Sequence, residues 1–140
     1  MTPFIAKLIE RGCITVGPNS QLQTVTNLLV KWQIGTVVII DAKGIVLGIL
    51  SERDIIKHIA QEQSLLETTA EELMATKVVT VGEDINSSEL MHLMTINKIR
   101  HVPIIKNNKL VGIVSMGDVV KRMLEKYEQE TELIRGFINS

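Results

Sequence analysis

The 140 residues suffice for one compact domain or two small joined halves, and 45% of them are apolar, which excludes wholesale disorder. Aromatic residues make up only 3%, so the core has to be built from Ile, Val, Leu and Met. A net charge of −1, from 15 basic and 16 acidic residues, supplies no polyanion-binding surface and argues against nucleic acid as a partner.

The chain opens with MTPFIAKLIERG, where Phe4, Ile5, Leu8 and Ile9 form an apolar stripe while Lys7, Glu10 and Arg11 interrupt any run of signal-peptide length. No stretch approaches the roughly 18 apolar residues of a membrane span, so a soluble, cytoplasmic protein without a membrane partner is expected. Cys13 is the single cysteine. It can make neither a disulfide nor a thiolate cluster within one chain, and is expected to be a small buried hydrophobe.

A short β-prone stretch, Ile14–Val16, leads through polar residues into a helix on which Leu22, Val25, Leu28, Leu29 and Trp32 recur at helical spacing. Two β-branched runs follow, TVVII and IVLGIL, joined by the turn-forming Asp41-Ala42-Lys43-Gly44. The second run passes into GILSERDII, Gly48 to Ile56. Ser-x-x-Asp ahead of an apolar pair is a capping box. The Ser51 hydroxyl takes an orphan amide of the first helical turn, and the Asp54 carboxylate reaches back.

The connector HIAQEQSLLETTAEELMATK carries another capping signal, Thr69-x-x-Glu72, for a short helix ending near Met74 or Ala75. A second unit then repeats the first. Thr15–Lys57 can be laid over Thr80–Lys121 with one residue dropped in the turn, where an insertion is cheapest. Thr15-Val16-Gly17 meets Thr80-Val81-Gly82, Ile39-Ile40 meets Ile104-Ile105, Ser51 meets Ser115 and Asp54 meets Asp118. The grammar is β-α-β-β-α, twice, an α/β (α+β) chain. Residues 1–61 hold the N-terminal helix and first repeat, 62–79 the helical connector and leading strand, and 80–140 the second repeat and C-terminal helix. On that last helix Val119, Val120, Met123, Leu124, Tyr127, Ile134 and Ile138 track one face, with Gly136 as a weak point. Apolar stripes at both termini point to a homodimer.

Two β-α-β-β-α units, each with Gly-apolar-apolar-Ser-x-x-Asp at the last strand-to-helix junction, resemble a tandem pair of CBS domains, a Bateman module. The resemblance covers roughly Ile14 to Met123 and rests on GILSERDII, GIVSMGDVV and KIRHVPII. One such motif is weak; two in register are specific. The family implies two sheets packed around inter-repeat clefts, which in many members bind AMP, ADP, ATP, NAD or S-adenosylmethionine.

The resemblance implies Asp54 on the ribose hydroxyls of the first cleft, with Ser51 and Arg53 near the phosphate. Arg100 and His101 of the facing unit complete the anion site, and Thr15, Thr36, Val37 and Ile49 form the adenine slot. The second cleft takes Asp118, Ser115, Thr80, Val102, Pro103 and Ile113. Gly117 replaces Arg53 there, Met116 replaces Glu52, and the facing strand offers Gly35-Thr36, so this cleft is poorer in cations. The chemistry is sound on its own terms. An acceptor-only carboxylate can receive both hydroxyls of a ribose, and a helix start offers amides to a phosphate.

His58 and His92 are expected on helix surfaces or in packing, and Met91, Met94, Met116 and Met123 as core filler. No nucleophile–base pair, metal-ligand spacing or phosphate loop is present in the sequence, so neither an enzyme nor a metal or catalytic cofactor is expected. The expectation is a regulatory adenine-nucleotide sensor, AMP foremost, with NAD or ATP as further candidates and an output protein the sequence does not name. The rivals are a ligand-free dimerisation module, in which both Ser-x-x-Asp motifs act only as caps, and an S-adenosylmethionine sensor.

Overall fold

The computed structural model of the chain describes residues 1–139. The first repeat holds β1 (Thr15–Val16), α2 (Leu22–Trp32), β2 (Thr36–Ile40), β3 (Val46–Ser51) and α3 (Glu52–Ala60), preceded by α1 (Pro3–Arg11). The connector helix is α4 (Ala70–Leu73), and the second repeat holds α5 (Ser87–Asn97), β4 (His101–Lys106), β5 (Lys109–Ser115) and α6 (Met116–Ile138).

In the first sheet β1 runs parallel to β2, and β2 pairs antiparallel with β3. In the second, β4 and β5 form the hairpin and only Val81 stands in for the leading strand. The leading strand expected ahead of the second repeat is thus reduced to one bridge, at Val81. The Val78 amide donates to the Thr76 carbonyl at 3.1 Å, closing a tight turn instead of entering the ladder. Both hairpins break register at the same place, between Ile39 and Ile40 and between Ile104 and Ile105. The turns account for the one-residue gap. Asp41 Oδ1 accepts the amides of Lys43 and Ile45 in the longer loop. Asn107 and Asn108 both take positive φ in the two-residue turn, as a primed hairpin requires.

The capping boxes at Ser51 and Ser115 form in full and start α3 and α6 at Glu52 and Met116. At α4 the box is incomplete. The Thr69 hydroxyl donates to Glu72 Oε1 at 3.3 Å and caps no amide. Gly136 does not interrupt α6.

Two aliphatic cores form, and each borrows a helix from outside its repeat. Val25, Leu29, Ile39 and Leu50 pack with Ala70 of α4. Leu90, Met94, Ile104 and Val114 pack with Ile5 and Leu8 of α1. The N-terminal stripe is therefore not a dimer surface: Ile5 is fully buried and Leu8 nearly so, because α1 lies on β5. Trp32, expected on the buried face of α2, is half exposed. His58 is buried, with Nε2 near Thr68 Oγ1 and the Ser64 carbonyl oxygen at 3.1 and 3.2 Å. Among the described residues no helix is long and apolar enough to cross a membrane.

Candidate functional site

The two strand-to-helix junctions are built alike. Ser51 Oγ accepts the Asp54 amide at 3.3 Å, and Asp54 Oδ2 accepts the Ser51 amide at 3.0 Å and the Ser51 hydroxyl at 2.9 Å. Ser115 Oγ accepts the Asp118 amide at 3.1 Å, and Asp118 Oδ2 accepts the Ser115 amide at 2.8 Å. In each, one carboxylate oxygen is committed to the cap, which leaves Oδ1 for another partner.

At the second junction that partner is already in the chain. Arg11, the last residue of α1, donates through Nη1 to Asp118 Oδ1 at 2.9 Å and through Nη2 to Oδ2 at 3.0 Å. Nη2 also reaches the Ile113 carbonyl at 3.0 Å. This is a bidentate fork on the carboxylate, made possible because α1 ends over β5. Burial pushes the Asp118 carboxyl up, but the hydrogen bonds of Arg11 and Ser115, with the charge of Arg11, hold it below its ordinary value. Arg11 is raised in turn, chiefly by its hydrogen bond to Asp118. Asp54 has no counterpart of this fork among the described residues.

A cavity of about 670 Å³ opens beside Ser115, within the range of small-molecule sites. Its walls come from both repeats: Arg11 to Ile14, Trp32 to Thr36, and His101, Ile113 and Ser115. His101, expected in the first cleft, lines this one, with Nδ1 at 3.3 Å from Thr36 Oγ1. The cause is the pairing of the repeats: Thr36 and His101 occupy equivalent positions and face each other across the junction. Thr36 likewise belongs to this cavity's wall. Burial keeps the His101 ring below its ordinary pKa, with Arg100 adding to that and Asp118 and Glu52 opposing it. Cys13 also lines the cavity, only partly buried, and burial pushes its thiol up to about 11.

The remaining expected residues divide. Arg53 and Arg100 are exposed, free to meet an anion. Val37 and Val102 are fully buried and Pro103 is buried as well, so these strand positions serve packing and offer a ligand almost no side-chain surface. Thr15 pairs with Val38 on β1, and Thr80 is half-buried beside Val81. Ile49 exchanges both backbone hydrogen bonds with Ala75, at 3.0 and 2.9 Å, which covers that edge of β3. Arg11 is the residue that sequence reasoning missed. Carrying the repeat four residues upstream of Thr15 and Thr80 would have set Arg11 against Thr76, a cation in one half and none in the other. Among the described residues, no cluster of three or more His, Cys, Asp or Glu is placed to hold a metal.

The CBS domain family model matches residues 5–61 and 70–125. An uncharacterised protein of Methanopyrus kandleri is 34% identical over 119 residues, 84% of this chain and 61% of that relative's length. The fold is similar to that of a CBS-domain containing protein from Agrobacterium tumefaciens, with a TM-score of 0.76 at 37% identity over 84% of this chain and 96% of that one. It is also similar to a CBS domain pair solved in complex with 5′-methylthioadenosine and S-adenosyl-L-methionine, with a TM-score of 0.78 at 28% identity, covering 87% and 96% of the two chains. The chain belongs to the CBS domain family and carries two of its domains, one in each repeat.

Proposed function

We propose that this protein is a regulatory module that binds an adenine nucleotide, AMP foremost, through the Ser51–Asp54 junction and reports its level to a partner protein. Paired CBS domains are regulatory ligand-binding modules, and the relative solved with 5′-methylthioadenosine and S-adenosyl-L-methionine binds adenosine derivatives. The observation that carries the reading is the contrast between the two carboxylates. Asp54 Oδ2 completes the cap while Oδ1 has no partner among the described residues, so a ribose diol can be received without breaking an existing ion pair. Arg53, exposed next to Asp54, is the cation for the phosphate; Arg100 and His101 adjoin the second junction, where the Arg100 carbonyl accepts the Met116 amide at 2.8 Å.

A thermal-shift series with AMP, ATP, NAD and S-adenosylmethionine tests this, because a ligand that prefers the folded state raises the melting temperature. A rise with AMP that is lost in Asp54→Ala supports the reading. No rise with any of the four contradicts it and favours a ligand-free module, whose own support is that both Ser-x-x-Asp motifs already form complete caps.

The output runs through a homodimer. Val120, Leu124, Tyr127, Ile134 and Ile138 lie along α6 at the three-, four- and seven-residue spacings of a helix–helix seam, and all five are exposed. A second copy of α6 is the partner of matching chemistry.

A further inference from the structure

We infer that Arg11 is the residue that decides what the second cleft accepts, an in-chain cation that holds Asp118 against any ribose. This rests on the reading of the Ser-x-x-Asp junctions as ribose sites. The geometry is that of direct competition. A vicinal diol needs the outward oxygen of the carboxylate, and Arg11 already takes Oδ1 at 2.9 Å, Oδ2 at 3.0 Å and the neighbouring Ile113 carbonyl at 3.0 Å. The cavity beside Ser115 is otherwise built to admit a small molecule, with Thr36 and His101 among its lining. Beside the substitutions within the motif itself, the sites differ at one flanking position: Arg11 in the second, Thr76 at the equivalent place in the first.

The hold is reversible. Arg11 is about half exposed (49%) although Asp118 is only 18% exposed, so solvent screens the pair and its net strength is that of a favourable surface ion pair. A latch of about 1 kcal/mol keeps the cleft closed most of the time and reduces apparent affinity to the open fraction, about a fivefold loss. The side chain can swing into solvent while α1 stays seated, because Ile5 and Leu8 hold the helix in the second core.

The test is calorimetry with adenosine, which has the diol and no phosphate, on full-length Asp54→Ala, in which the first site is silenced. Adding Arg11→Ala should tighten binding about fivefold, and adding Asp118→Asn to that double variant should abolish the gain. Arg11→Gln, which keeps a long helix-compatible side chain without the charge, should behave like Arg11→Ala and separates the latch from helix packing. Equal affinity in Asp54→Ala with and without either Arg11 substitution overturns the inference. Failure of the nucleotide reading is a different result: parent protein and Asp54→Ala would then take up AMP equally or not at all.

Discussion

Thr36 and His101, which hold equivalent positions in the two repeats, meet each other at 3.3 Å between Oγ1 and Nδ1. The pair sits where the two sheets face one another, and it leaves a half-buried imidazole whose charged form is disfavoured by burial and by Arg100. With its pKa below the ordinary 6.5, His101 is neutral in the fold and takes up a proton more readily once unfolded. The unfolded chain therefore binds more protons as pH falls through 6.5, and stability is lost across the window between that value and the lower folded one. Melting temperature should fall from pH 7.5 to pH 5.5, and His101→Gln should flatten that slope. An unchanged slope would show that the ring is not the group responsible. Asp118 acts lower on the scale: its depressed carboxyl contributes stability above the ordinary carboxylate range that is lost on further acidification.

Cys13 should be slow to alkylate. A thiol raised from 9.0 to about 11 carries on the order of a hundredfold less thiolate at neutral pH. Iodoacetamide at pH 7.5 should modify the native protein far more slowly than the denatured chain. Equal rates would mean the thiol is not shielded by its surroundings.

Equivalent glycines should differ in their tolerance of a methyl group. A Cβ on Gly48 would overlap Met74, coming within 2.6 Å of its Cγ and 2.9 Å of the Ala75 carbonyl. On Gly112 it would lie 3.4 Å from the Ile9 Cα and 3.5 Å from the Leu8 carbonyl. Gly48→Ala should cost about 1–3 kcal/mol in denaturant unfolding, and Gly112→Ala less. The reverse order would contradict the close seating of the connector on β3.

Removing residues 127–140 should convert a dimer to a monomer in light scattering while leaving the repeats folded. Val119, the last residue of the second core on α6, lies well before the cut. A full-length chain that stays monomeric at high micromolar concentration would remove the dimer from the account.

The duplicated architecture was legible because it is written in local signals that agree. Helical and two-residue periodicities, turn residues and two Ser-x-x-Asp caps recur in register, and the single gap coincides with Gly44 at φ 86° in one turn and the Asn107-Asn108 pair in the other. What the sequence hid is which repeat each connecting helix serves. The stripe Phe4, Ile5, Leu8 and Ile9 is equally suited to a second subunit or to β5, and periodicity reports only that a face must be buried. The same gap misplaced His101, whose cleft depends on how two sheets face each other, and concealed Arg11, whose partner is 107 residues away.

Titration of AMP into the parent protein, Asp54→Asn and Asp54→Ala decides whether the Asp54 carboxylate holds a nucleotide. Ser51 is the N-cap, and an amide oxygen at position 54 can still accept the Ser51 amide, so Asp54→Asn keeps α3 while removing the charge that strengthens both ribose hydrogen bonds. At roughly 1.5–3 kcal/mol for each charge-assisted bond, both substitutions should weaken AMP at least about tenfold, with the melting temperature of Asp54→Asn close to that of the parent. Undiminished AMP affinity in a folded Asp54→Asn would make the carboxylate a cap alone and contradict the account.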